Sequence, residues 1–179
     1  MPERNGVEAG SQGLTGLIMR RLVFSIAAVV HLLLLDQIVK AFAIQRLKGN
    51  PPVEVLPFFN LAYVENRGCA WGMFQGQVWP LAVFAMVAFA LLIWKRKSVF
   101  PSGAWGLVAE HLLYAGILGN LIDRLYHRFV VDMFDFHWGV HHFPCFNVAD
   151  ACITVAAGVL LAFSLFSKGD SNAASAEKK

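Results

Sequence analysis

Charge is scarce in this chain: Asp, Glu, Lys and Arg make up 15% of its 179 residues, against 57% hydrophobic residues. Soluble domains carry roughly 25% charged residues, and one this small cannot bury so much apolar surface, so lipid is the expected solvent. Cysteine is equally sparse. Three residues, an odd count without a CxxC pair, indicate neither a disulfide framework nor a zinc ribbon. Cys69 and Cys145 fall in the two long loops and could pair in an oxidising compartment, but they read more simply as small packing thiols. A net charge of +3, small and scattered, gives no reason to expect a nucleic acid partner. No internal repeat is apparent, and HExxH and GxGD motifs are missing. A cleavable signal peptide is not expected: the apolar run after Arg20-Arg21 is too long and lacks a small-residue cleavage site.

What is present is four apolar stretches, about Leu22–Ile44, Val78–Trp94, Ala104–Ile122 and Asn147–Phe166. At ~1.5 Å per residue they measure roughly 26–34 Å, matching a hydrocarbon core of about 30 Å. The expected architecture is an all-α membrane protein with four transmembrane helices. Residues 20–167 form its single domain, between disordered tails at 1–19 and 168–179. Nine of the fifteen Lys/Arg lie before the first stretch, in Lys95-Arg96-Lys97 and after the fourth. By the positive-inside rule both termini are cytoplasmic, and loops 45–77 and 123–146 face outward. In the first loop, Val53–Leu56 and Asn60–Val64 suggest short strands at headgroup level.

Ionisable residues in a span are costly, so each needs a reason. Here they converge. Asp36 and Lys40 fall in the outer third of the first stretch, Asn120, Asp123 and Arg124 close the third, Asn147 and Asp150 open the fourth, and Asn66 and Asp132 belong to the outer loops. Some have ordinary explanations. Asp36 and Lys40, four apart, make a helical ion pair; Asn147 and Asp150 have capping-box spacing; Ala115, Gly116 and Gly119 permit close helix packing. Asp132 has none, because it interrupts the apolar run Val130-Val131-Asp132-Met133-Phe134.

Two carboxylates at one shielded site suffice for hydrolysis with neither metal nor covalent intermediate. They share one proton; the ionised member takes a proton from water and the other donates to the carbonyl oxygen and leaving nitrogen. A helix N-terminus favours charge on Asp150, leaving the resting proton on Asp132. Two rival classes are weighed. A metal hydrolase could draw on His127, His137, His141 and His142 with Asp132 and Asp135. A transporter would need polar residues through the full thickness, whereas the cytoplasmic half carries only Glu110 and His111.

At these residues the sequence resembles the lipoprotein signal peptidase (signal peptidase II) family over roughly 32–155. The likeness rests on Asp36-Gln37-x-x-Lys40, Leu56-Pro57-x-Phe59-Asn60-Leu61-x-Tyr63-Val64-x-Asn66-x-Gly68-x-Ala70-Trp71, Gly119–Arg124, Val130-Val131-Asp132 and Phe146-Asn147-x-Ala149-Asp150. It implies four helices with a small extracytoplasmic β-cradle. It also implies an aspartic endopeptidase of the bacterial inner membrane that cuts prolipoproteins before a diacylglyceryl-modified cysteine. Asp132 and Asp150 match the catalytic pair; Asn66, Asn120, Arg124 and Asn147 match residues lining the site, and Asp36, Lys40 and Asp123 match supporting ones. No cofactor or metal is implied; globomycin-type inhibitors are, and the chain is expected to act as a monomer among membrane lipids. Glu110 and His111 in the third span, Cys69, and Arg128 where glycine is common depart from the family pattern.

Overall fold

The computed structural model describes the backbone of residues 3–176 and the side chains of 16–69 and 71–166. Helix α1 (Glu3–Arg46) is followed by strands β1 (Val53–Leu56) and β2 (Phe59–Asn66), then by helices α2 (Val78–Trp94), α3 (Arg96–Val99) and α4 (Ala104–Tyr126), strands β3 (Val130–Trp138) and β4 (His141–His142), and helix α5 (Val148–Ala176). Among the described residues, three helical segments are long and apolar enough to cross a membrane: Gly16–Arg46, Ala104–Tyr126 and Val148–Phe166. Helix α2 is apolar throughout but has only 17 residues. Leu22, Phe24, Ile38, Phe84 and Leu161 are among the many large apolar side chains left exposed, as on a bundle whose outer surface meets lipid.

Both terminal helices outrun the expected boundaries. Helix α1 begins at Glu3 and α5 continues to Ala176, because a helix nucleated by a long apolar run propagates cheaply into polar flanks. The backbone at 3–19 and 168–176 is thus helical where disordered tails were expected. Residues 1, 2 and 177–179 lie outside the described residues.

Helix α4 packs against α1, α2 and α5, and its small residues set the approach. A Cβ on Gly116 would meet the Ala149 carbonyl oxygen at 2.5 Å, and one on Gly119 would meet Asp36 Oδ2 at 2.6 Å. Only glycine leaves room there. At the far end of α4, Phe100, Ala109 and Ala156 form a buried cluster with Leu92 and Tyr114 packed against it. Glu110, without an explanation in the sequence, is nearly buried there and ion-paired with Arg96 of α3.

The strands form one antiparallel sheet in the order β1-β2-β3-β4. Both strands foreseen in the first loop are present, and β2 runs on to Asn66. Strand β3 was not foreseen as a strand. Its first four residues are all buried, so it shows no alternation of apolar and polar positions. Val131 and Met133 pack on Ala43 of α1 and on Leu47 just past its end, seating the sheet on the bundle.

Candidate active site

Asp36 and Lys40 lie one turn apart on α1. Lys40 Nζ is 2.9 Å from Asp36 Oδ2 and 3.0 Å from Asp123 Oδ2 of α4, and it donates to Asn120 Oδ1 at 3.1 Å. All four side chains are buried. Two carboxylates around one ammonium compensate its desolvation, and the remaining lone pairs are used in building. Asp36 Oδ1 accepts from the Ala149 backbone N–H at 2.8 Å, at the first turn of α5. Asp123 Oδ2 accepts from the Val131 N–H at 3.0 Å. The ion pair expected on α1 is therefore also the joint that ties α4, α5 and β3 together. Gln37, which sequence reasoning quoted but gave no role, donates to Asp36 Oδ2 at 3.1 Å and to Asp123 Oδ1 at 3.2 Å. Its place beside Asp36 was the available signal.

Above this joint sit the two acids. Strand β3 carries Asp132 opposite Val64 of β2, just past an irregularity between Leu61 and Val64. Asp132 is 1% exposed. Its Oδ1 accepts from Asn147 Nδ2 at 2.7 Å and its Oδ2 from Asn66 Nδ2 at 3.0 Å. Asp150 Oδ1 accepts from Asn120 Nδ2 at 2.7 Å. The capping box is made: the Asp150 N–H donates to Asn147 Oδ1 at 2.9 Å, and the Asn147 N–H to Asp150 Oδ2 at 3.3 Å. Asn147 thus touches both acids, and its Nδ2 also lies 3.1 Å from Asn120 Oδ1.

Burial, and then the charge of neighbouring Asp150, push the Asp132 carboxyl up to about 7 against the hydrogen bonds of Asn66 and Asn147. A carboxyl so shifted can be a proton donor at neutral pH. Asp150 lies on the wall of an apolar cleft of about 1260 Å³, shared with Phe84, Ile117, Ile153 and Phe146; Asn66, Asn120 and Arg124 also line it. Asp132, although adjacent, is not on that wall. Arg124 Nη2 donates to the Gly68 carbonyl at 2.9 Å, and Gly68 N–H donates to Asn66 Oδ1 at 2.9 Å, so Arg124 holds the loop that aims Asn66.

Every site residue expected from the sequence lies in this one network. The chain also matches the family described as Signal peptidase (SPase) II over residues 28–166. It belongs to the signal peptidase II family. It is 40% identical over 150 residues to the lipoprotein signal peptidase of Shewanella loihica, covering 80% of this chain and 87% of that protein. The lipoprotein signal peptidase of Clostridium acetobutylicum is 34% identical over 140 residues, covering 77% of this chain and 90% of the other. A bacterial membrane enzyme solved by the in meso method at 2.3 Å resolution superposes with a TM-score of 0.72 at 30% identity, covering 83% of this chain and 90% of that one.

The departures from the signal peptidase II pattern fall outside the acid pair. Arg128 holds a left-handed backbone (φ 68°), a conformation that glycine adopts freely; its guanidinium lies 4.1 Å from the Trp79 ring centroid. Cys69 Sγ lies 3.5 Å from the Met73 carbonyl oxygen. Of the histidines suggested as metal ligands, His142 Nδ1 is 2.7 Å from Asp135 Oδ1, and His137 and His127 stack on His142 and Phe129.

Proposed function

We propose that this chain is a membrane-embedded aspartic endopeptidase. It removes signal peptides from diacylglyceryl-modified prolipoproteins, cleaving before the lipidated cysteine with water activated between Asp132 and Asp150. One observation carries the reading: a buried acid on a strand and a half-buried one at a helix start share Asn147 at the head of a large apolar cleft.

Charge belongs on Asp150, which sits in the first turn of α5 and accepts from Asn120 and the Asn147 N–H. The resting proton belongs on Asp132. Asp150 takes a proton from the attacking water, and Asp132 protonates the carbonyl oxygen as the tetrahedral intermediate forms. Collapse then needs a proton on the leaving nitrogen, which the pair returns. Arg124 and the asparagines hold the peptide and keep the acids from turning away. The apolar cleft takes acyl chains and hydrophobic signal residues, and that anchoring removes much of the entropic barrier.

The setting follows from the same chemistry. Helix α2 completes a set of four membrane crossings, at ~26 Å the shortest of them. The Lys/Arg bias puts both termini in the cytoplasm and the acids at the outer face of the bacterial inner membrane, where a monomer meets its substrate and globomycin-type inhibitors.

The test compares purified wild type with Asp132→Asn and Asp150→Asn on a diacylglyceryl-modified propeptide. Turnover is expected to fall at least about a hundredfold in each; a variant that keeps its rate removes that residue from the mechanism. An unlipidated copy of the peptide should be cut poorly, and equal cleavage of both forms would overturn the lipid requirement.

A further inference from the structure

A second groove lies next to the first. It measures about 580 Å³ and is bordered by Ala62 and Val64 of β2, Asp135 of β3, His142 of β4 and Pro52. Trp71, Phe143, Pro144 and Cys145 line both hollows, and Trp71 and Phe143 meet edge to face with centroids 5.7 Å apart. The two hollows adjoin along this shared wall, with the aromatic pair between them. Their walls differ, however. Helices α2, α4 and α5 contribute most of the first, whereas every residue of the second comes from the sheet and the loops around it.

We propose that this second groove is a binding subsite for the peptide on the carboxyl side of the cleaved bond, with His142 and Asp135 as its polar contacts. The inference rests on the proposed function. Of the two halves of such a substrate, the signal sequence and acyl chains are apolar and suit the helix-lined cleft. The mature segment is polar and must leave toward water, past the hollow that has no membrane helix in its wall. The polar groups there are prepared. Asp135 is nearly buried and accepts from Asn60 Nδ2 at 3.1 Å and from His142 Nδ1 at 2.7 Å. His142 is also stacked on His137 at 5.1 Å between centroids. With Nδ1 engaged by the carboxylate, Nε2 is the ring nitrogen left for the peptide backbone. Ala62 and Val64 supply an apolar floor for side chains. Cys145, on the shared wall, takes no chemical part: burial, then the charges of Asp132 and Asp135, push its thiol up to about 12, far from a reactive thiolate.

Two diacylglyceryl-modified propeptides test this, alike up to the modified cysteine, one ending just after it and the other about five residues later. With the full-length wild type in nanodiscs, the longer peptide is expected to have a KM roughly three- to tenfold lower, the worth of a net hydrogen bond or two, with kcat little changed. His142→Ala should erase most of that difference, as should Pro52→Trp, which crowds the groove from β1's side without touching the polar pair. Equal KM values in wild type, or a difference that survives both substitutions, overturns the subsite and leaves the proposed function standing. Failure to cleave either peptide overturns the proposed function, and the subsite falls with it.

Discussion

Replacing Asp132 by asparagine should make the protein more stable at pH 8 and less stable at pH 4, while abolishing turnover at both. In the fold this carboxyl titrates at about 7, but near 3.9 in an unfolded chain. A raised folded value means that the native state favours the protonated form. Its stabilising contribution is complete below about pH 4 and is lost as pH climbs through 7. Roughly three pH units at 1.36 kcal/mol each give about 4 kcal/mol lost by pH 8. Asparagine never ionises, so it escapes that loss. It has a cost of its own: its amide must point hydrogens at Asn147 Nδ2 or Asn66 Nδ2, which stand 2.7 and 3.0 Å from the present oxygens. An opposed donor pair costs about 1–2 kcal/mol. The net is a gain of about 2–3 kcal/mol at pH 8 and a deficit of about 1–2 kcal/mol at pH 4. At about 2–4 °C per kcal/mol for a domain this size, apparent Tm should rise by about 5–10 °C at the higher pH and fall by a few degrees at the lower. Tryptophan fluorescence during heating in detergent at the two pH values reads the crossing directly. A variant less stable by one margin at both pH values would show that Asp132 carries no buried ionisation cost, and the proton-donor role would lose its basis.

Other outcomes are expected. Turnover of wild type should lose about a tenfold per pH unit above an apparent pKa near 7, as Asp132 gives up its proton, the value belonging to the coupled pair; a flat kcat profile from pH 6 to 9 would contradict this. Lys40→Met leaves Asp36 and Asp123 buried around an apolar group, and should cost about 3–5 kcal/mol, seen as a large drop in apparent Tm together with lost activity. Arg96→Ala strips Glu110 of its partner and should cost about 2 kcal/mol without altering KM; a changed KM would mean that the α3 end of the bundle reaches the cleft.

How much of this was legible depended on what each residue costs. Asp36, Lys40, Asn120, Asp123, Asn147 and Asp150 stood out because polar groups inside apolar helices need partners, and the partners they found were one another. Asn147 and Asp150 announced their capping box by spacing alone, and the box is made. Strand β3 was hidden because it is covered on both faces, so its sequence shows a run where a half-exposed strand would alternate. Glu110 had no visible reason because its partner, Arg96, belongs to a basic loop that reads as a topology signal. The helix ends were misjudged for a different cause: apolar content marks where lipid begins, and hydrogen bonding of the backbone does not stop there. That Asp150 lines the cleft while Asp132 lies beside it depends on the register of β2 and β3, which no local pattern encodes.

The double use of Asn147 has a consequence for biogenesis. One side chain starts a helix with its oxygen and orients an acid on a distant strand with its nitrogen. On the proposed mechanism, docking of the last helix and docking of the sheet therefore complete the acid pair together. A half-assembled chain lacks either the helix start or the strand, and so has no acid pair to misuse on its neighbours. On the proposed mechanism, completion of the fold is itself the safety catch.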